Sequence, residues 1–167
     1  MKKSISTSLT NANVNKVLKI LTETPSKLEA LSKPLTGGQL KRPLRSGERS
    51  FIEVLAHLVN SEARSSESIY LALLVDEPLI ADIHSERDWG KLVRFELLEF
   101  NDLLAYFNLR RKVLMRVLSR MTESDWSRGI REKTKKRIDS IYWRARSLAL
   151  HEAEHLAELE EQLAGKA

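Results

Sequence analysis

The sequence has no cysteine. That removes disulfides, thiolate metal sites and cysteine nucleophiles together, and it suits a reducing compartment. Proline and glycine are scarce, four and six, and five of the ten lie between Pro34 and Gly47, which reads as one long connection. Aromatic residues make up 6% of the chain. No apolar run is long enough to cross a membrane. Met1-Lys2-Lys3 could open a signal peptide, but Ser4 to Asn15 is mostly Ser, Thr and Asn rather than an apolar stretch. A soluble, cytoplasmic protein with no membrane role is expected. No segment shows the period-two alternation and β-branched enrichment of strands.

What remains is rich in Leu, Ala, Glu, Arg and Lys, which are good helix formers. At 167 residues, with 42% hydrophobic and 31% charged, one globular domain spanning 1–167 is expected, with residues 1–9 as a flexible N-terminus. Apolar residues at helical spacing predict four helices. The first runs from Thr10 to Leu31, where Pro25 should kink or split it. The second starts at Ser50, whose Ser-x-x-Glu pattern with Glu53 is a capping box, and reaches Leu74. A polar loop follows from Asp76 to Trp89. The third helix covers Lys91 to Met121, and Trp126 to Arg137 forms a basic connection around Gly129. The fourth covers Asp139 to Leu163. Four amphipathic helices in a domain of this size predict an all-α four-helix bundle.

There are four histidines, and two of them stand in His151-Glu-Ala-Glu-His155. Residues four apart share a helix face, so both imidazoles can hold one ion, and neutral imidazole suits zinc, nickel, iron or copper. The spacing also satisfies the His-Glu-x-x-His signature of zinc proteases. With twelve residues after His155, however, a downstream third ligand has no room. A third ligand must come from earlier in the chain, and His57, mid-way along the second helix, is the candidate. His84 falls in the polar loop and reads as an ordinary exposed histidine. His151 and His155 fall at one edge of their helix's apolar stripe and His57 on the more polar side of its own. This favours a solvent-open groove between helices over the bundle centre. Three protein ligands leave a position for water or substrate, as catalytic sites do.

Two stretches, Ser50-Phe-Ile-Glu-Val-Leu-Ala-His-Leu-Val-Asn-Ser-Glu62 and Leu148-Ala-Leu-His-Glu-Ala-Glu-His-Leu-Ala-Glu158, resemble the second- and fourth-helix motifs of the DinB/YfiT-like superfamily of metalloenzymes. Glu99 to Arg111 is similar to its third helix, and the likeness runs from about Asn15 to Leu163. The resemblance implies a four-helix bundle in which one histidine of the second helix and two of the fourth, here His57, His151 and His155, hold a divalent transition metal, usually zinc or nickel. It further implies thiol-dependent transferase or hydrolase chemistry on a small-molecule substrate, with a low-molecular-weight thiol as a second cofactor, and frequent homodimers. Arg49 stands where the family usually carries Trp, and Glu158 where many members carry Gln.

Three charged residues project into apolar stripes: Glu62, Arg111 and Glu152. Burying charge is costly unless it is paired, so Arg111 is expected to pair with Glu62, Glu152 or both. Snorkelling to solvent at a bundle end is the alternative. For Glu152 a structural role is favoured over orienting a ligand histidine or acting as a base.

Arg128 to Arg137 holds six basic residues and one acidic, in a chain of net charge +5. Aromatic interleaving is thin and no nucleic-acid motif appears, so nucleic-acid binding is not expected, although the patch could attract an anionic ligand. The competing reading is a non-catalytic helical bundle acting by dimerisation or through this basic surface.

Overall fold

The computed structural model describes residues 4–43 and 45–165. Four long helices dominate: α1 (Asn11–Ser32), α2 (Phe51–Leu74), α3 (Phe100–Leu118) and α4 (Ile141–Ala164). The fold is an all-α four-helix bundle. α1 and α2 each pack on both α3 and α4, so α1 stands diagonally across from α2, and α3 from α4. Crossing between corners needs length. The segment from Lys33 to Ser50, with its one-turn helix Gly37–Leu40, supplies it at one end. Glu123–Ser127 and a β-hairpin supply it at the other.

Caps fix the helix starts. The Ser50 hydroxyl accepts from the Glu53 N–H, and the Glu53 carboxylate accepts from the Ser50 N–H at 2.7 Å, the capping box read from the sequence. Thr10 caps α1 and Ser140 caps α4.

The apolar core has two halves. One gathers Val17, Leu21, Ile69, Leu114, Ala145 and Leu148, and the other Leu28, Phe51, Leu55, Phe107, Leu156 and Leu159. Between them lies a buried polar layer. Arg111 donates to Glu62 through Nε (3.0 Å) and Nη2 (2.7 Å), and to Glu152 through Nη2 (2.5 Å). Its Nη1 donates to the Leu21 carbonyl at 2.5 Å. All three side chains are buried, so pairing with both carboxylates, not snorkelling, meets the cost of burial.

The structure departs from the sequence reading at several elements. α1 runs unbroken through Pro25. Proline lacks the N–H that would bond Leu21, four residues back, and Arg111 takes that carbonyl instead. The expected third helix breaks at Arg94, which adopts left-handed backbone (φ 50°), and α3 begins only at Phe100. Three short strands appear where none was expected: β1 (Leu79–Ile80), β2 (Gly129–Glu132) and β3 (Ile138–Ser140). β2 pairs parallel to β1 and antiparallel to β3. At two to four residues each, they are too short to show a periodic pattern.

Residues 1–9 were expected to be loose. Instead Ile5 is buried, its carbonyl accepts from Arg146 (2.7 Å), and the Ser6 carbonyl accepts from the Tyr142 hydroxyl (2.6 Å). The Met1-Lys2-Lys3 start lies outside the described residues.

Candidate metal centre

On the same two helices that carry Glu62 and Glu152, other polar groups turn outward. His57 lies on α2, and His151 and His155 on successive turns of α4. The three rings converge, with centroids 4.8 Å (His57–His151), 4.8 Å (His57–His155) and 4.6 Å (His151–His155) apart. They meet edge-on, at interplanar angles of 69° to 84°. One ring nitrogen from each lies within 4.8 Å of the others. All three residues are half-buried, which places the cluster in a groove between α2 and α4 rather than in the core.

Each ring has a neighbour. Ser61, one turn after His57, puts its hydroxyl 3.3 Å from His151 Nε2. Glu158 puts a carboxylate oxygen 2.8 Å from His155 Nδ1. The Glu86 carboxylate comes within 3.1 Å of His57 Nδ1, off the line of a straight hydrogen bond, so that this buried nitrogen has no hydrogen-bond partner.

Electrostatics keep two of the rings neutral. Burial lowers the His57 pKa against the pull of Glu86. Burial, with His155 and His57 close by, lowers that of His151 to about 4. At neutral pH these imidazoles present lone pairs rather than charge. Three converging imidazoles, two of them held neutral by burial, suit a divalent transition ion, since they offer it nitrogen donors.

Glu152 does not join this group. It is fully buried on Arg111, and among the described residues no hydrogen bond links it to a histidine. Burial raises its pKa to about 7, more than Arg111 lowers it. Glu62 is also raised by burial, but it has a second cation, Arg110, at 3.6 Å. Glu152 has Arg111 as its one cationic partner among the described residues and is the more deeply buried, so of the two carboxyls it is the one that holds a proton more readily.

His84 is exposed, as expected, but it organises its own turn, since its Nδ1 accepts from the Glu86 and Arg87 N–H groups. Sequence reasoning missed Ser61 and Glu86. Ser61 had a signal, four residues from His57 on the same face. Glu86 had none, since it reaches the site from a distant loop.

Two cavities open beside α2, and none of the three histidines lines either of them. One of about 240 Å³ is lined by Arg49, Asn60, Glu86, Lys91, Arg94 and other polar groups. The smaller one adjoins the cluster through Glu86, while a larger apolar cleft of about 450 Å³ is lined by Leu71, Leu74, Leu79, Ile83 and Trp89 among others. The basic segment is largely occupied by intramolecular partners. Arg128 donates to the Ala72 and Val75 carbonyls, Arg131 pairs with Glu77, Lys135 with Glu132 and Asp139, and Arg137 with Asp139.

The family model for the DinB superfamily matches residues 20–159. The chain belongs to the DinB superfamily. YfiT of Bacillus subtilis (strain 168) is 24% identical over 154 residues, covering 92% of this chain and 86% of YfiT. The solved structure of YfiT, described as a probable metal-dependent hydrolase with an unusual four-helix bundle topology, superposes with a TM-score of 0.83 at 22% identity, over 96% of this chain and 91% of that one. That bundle and this one share their fold. Among the described residues no helix is long and apolar enough to cross a membrane.

Proposed function

We propose that this DinB protein is a metal-dependent enzyme of hydrolase type acting on a small polar molecule, with His57, His151 and His155 holding one divalent ion, zinc or nickel. The observation that carries the reading is the convergence of three imidazoles, one ring nitrogen from each within 4.8 Å of the others, in a groove rather than a sealed core. The relationship to YfiT supports the hydrolase class.

A bound divalent ion supplies Lewis acidity at this point. The chain supplies the rest. The helix backbones of α2 and α4 hold the three rings in register before any ion arrives. Burial keeps His57 and His151 unprotonated and ready to bind. Ser61, beside His151, is placed to hold a polar substrate atom or a water through its hydroxyl. The 240 Å³ cavity, with Arg49, Lys91 and Arg94 on its wall, is suited to seat an anionic or amide-bearing portion of the substrate.

The test is a panel of small esters, amides and anhydrides offered to tag-free protein reconstituted with zinc or nickel. The expected result is turnover that requires the ion and is lost in His151→Ala with the helical circular dichroism unchanged. A panel of electrophiles with low-molecular-weight thiols, run in parallel, separates a thiol transferase from a hydrolase. Turnover that survives His151→Ala, or protein that takes up neither ion, overturns the reading.

A further inference from the structure

Glu86 lies 29 residues beyond His57, on a segment that would be an ordinary loop but for how it is held. Ser85–Gly90 forms one wide turn, closed by the His84 carbonyl accepting from the N–H groups of Asp88 (3.1 Å) and Trp89 (3.2 Å). The His84 side chain accepts from the Glu86 N–H (3.2 Å) and the Arg87 N–H (3.0 Å), and the Asp88 carboxylate accepts in turn from the His84 N–H at 2.8 Å. These backbone groups are thus satisfied within the turn, which gives it a defined shape.

It is also seated on α2. A Cβ at Gly90 would stand 3.0 Å from the Asn60 side chain and 3.3 Å from the Ser85 carbonyl, so the turn approaches the helix as closely as glycine allows, one turn after His57. At the other contact, Glu86 Oε2 receives Arg49 Nη2 at 2.6 Å while lying 3.1 Å from His57 Nδ1. Glu86 is therefore held from two sides, its backbone by the turn and its carboxylate by Arg49 just before the α2 cap, and it faces His57.

We infer that Glu86 is a positioning residue for His57: its carboxylate, fixed by Arg49, accepts a hydrogen bond from a protonated Nδ1 and leaves Nε2 as the donor to the ion. This rests on the reading of the three histidines as a metal site. An imidazole free to flip or change tautomer offers its lone pair in several directions, whereas a carboxylate on one nitrogen fixes both ring plane and tautomer and makes the other nitrogen a stronger base. A slight turn of ring or carboxylate brings the 3.1 Å approach into line. Arg49 matters for the same reason. By sharing the carboxylate oxygen, it keeps Glu86 from swinging toward the ion as a competing ligand. The Ser85–Gly90 turn, at first sight remote from the chemistry, becomes the part of the chain that selects the working tautomer.

The experiment is a titration of the full-length protein with Co²⁺, followed by its visible spectrum, alongside nitrogen-15 NMR of the His57 ring in the zinc-loaded state. Wild type is compared with Glu86→Ala, Glu86→Gln and His57→Ala, each checked for unchanged melting. The expected results are Co²⁺ affinity about 10- to 100-fold weaker in Glu86→Ala, an intermediate loss in Glu86→Gln, whose amide oxygen still accepts from Nδ1, and a His57 ring protonated at Nδ1 in wild type. Unchanged affinity in Glu86→Ala, with loss in His57→Ala, overturns the inference while leaving the metal site intact. So does a His57 ring protonated at Nε2. Failure of the wild type itself to bind Co²⁺ overturns the metal reading, and this inference falls with it.

Discussion

The same two helices carry two polar clusters with opposite designs. Glu62 on α2 and Glu152 on α4 point into the bundle. Ser61 and His151, one residue earlier on each helix, point into the groove. A single step along a helix turns the side chain by about 100°, enough to separate scaffold from site. The inward cluster is filled by the chain itself: Arg111 arrives from α3 with a charge and a fork of donors, and α1 adds the Leu21 carbonyl that Pro25 leaves free. The outward cluster gathers three nitrogen donors around one point. The lesson is that a buried polar group must be satisfied by the fold, whereas a group in a groove can be left for a ligand to satisfy.

The largest effect should come from breaking the inward cluster. Arg111→Met leaves two buried carboxylates facing each other, and unfolding in urea should show a loss of about 3–5 kcal/mol. His151→Ala should instead change the stability of the metal-free protein by less than about 1 kcal/mol, because the ring is half-buried and its hydrogen-bonding neighbour is a hydroxyl. If the two substitutions cost the same, the distinction between scaffold and site fails.

The proton on Glu152 sharpens the comparison. Its folded pKa is raised from 4.5 to about 7. The folded state therefore keeps a proton that the unfolded chain gives up. The stabilisation is complete below the unfolded pKa and is lost as pH rises through the folded one. Between these limits wild type should lose at most about 1.4 kcal/mol per pH unit relative to Glu152→Gln. The shifts of His57 and His151 act in the opposite sense but are common to both proteins. Unfolding midpoints whose difference does not change between about pH 5 and 7.5 would remove the proton on Glu152 from the account.

Pro25→Ala should have the smallest effect. Proline inside a helix ordinarily costs about 3 kcal/mol. Here the Leu21 carbonyl is already satisfied by Arg111, so restoring the N–H should stabilise by less than about 1 kcal/mol. A gain near the full proline penalty would show that Arg111 does not compensate.

Much of this was legible from residue order because it depends on helical periodicity. The four amphipathic stripes, the Ser50–Glu53 box and the pairing of Arg111 with Glu62 and Glu152 follow from faces about 100° per residue apart and from the cost of unpaired charge. His151 and His155 followed from the i,i+4 rule, and His57 from resemblance to a family and its place in the second helix. What escaped was set by tertiary contact. Glu86 meets His57 only because the wide turn docks on α2, and no spacing rule connects residues that far apart across a loop. The break at Arg94 puts a residue without special preference into left-handed backbone. Leu97, inside the span expected to form the third helix, is 69% exposed as a result. The basic segment looked available because its buried acceptors, Asp139 and the Ala72 carbonyl, cannot be seen from charge counts.

The central claim is that His57, His151 and His155 share one ion. Anomalous diffraction from crystals soaked in zinc at neutral pH tests it most directly. The account predicts a single strong peak at about 2.0–2.1 Å from one nitrogen of each of the three rings. A peak bound by the α4 pair with His57 turned away, or no peak in the groove at all, would contradict it.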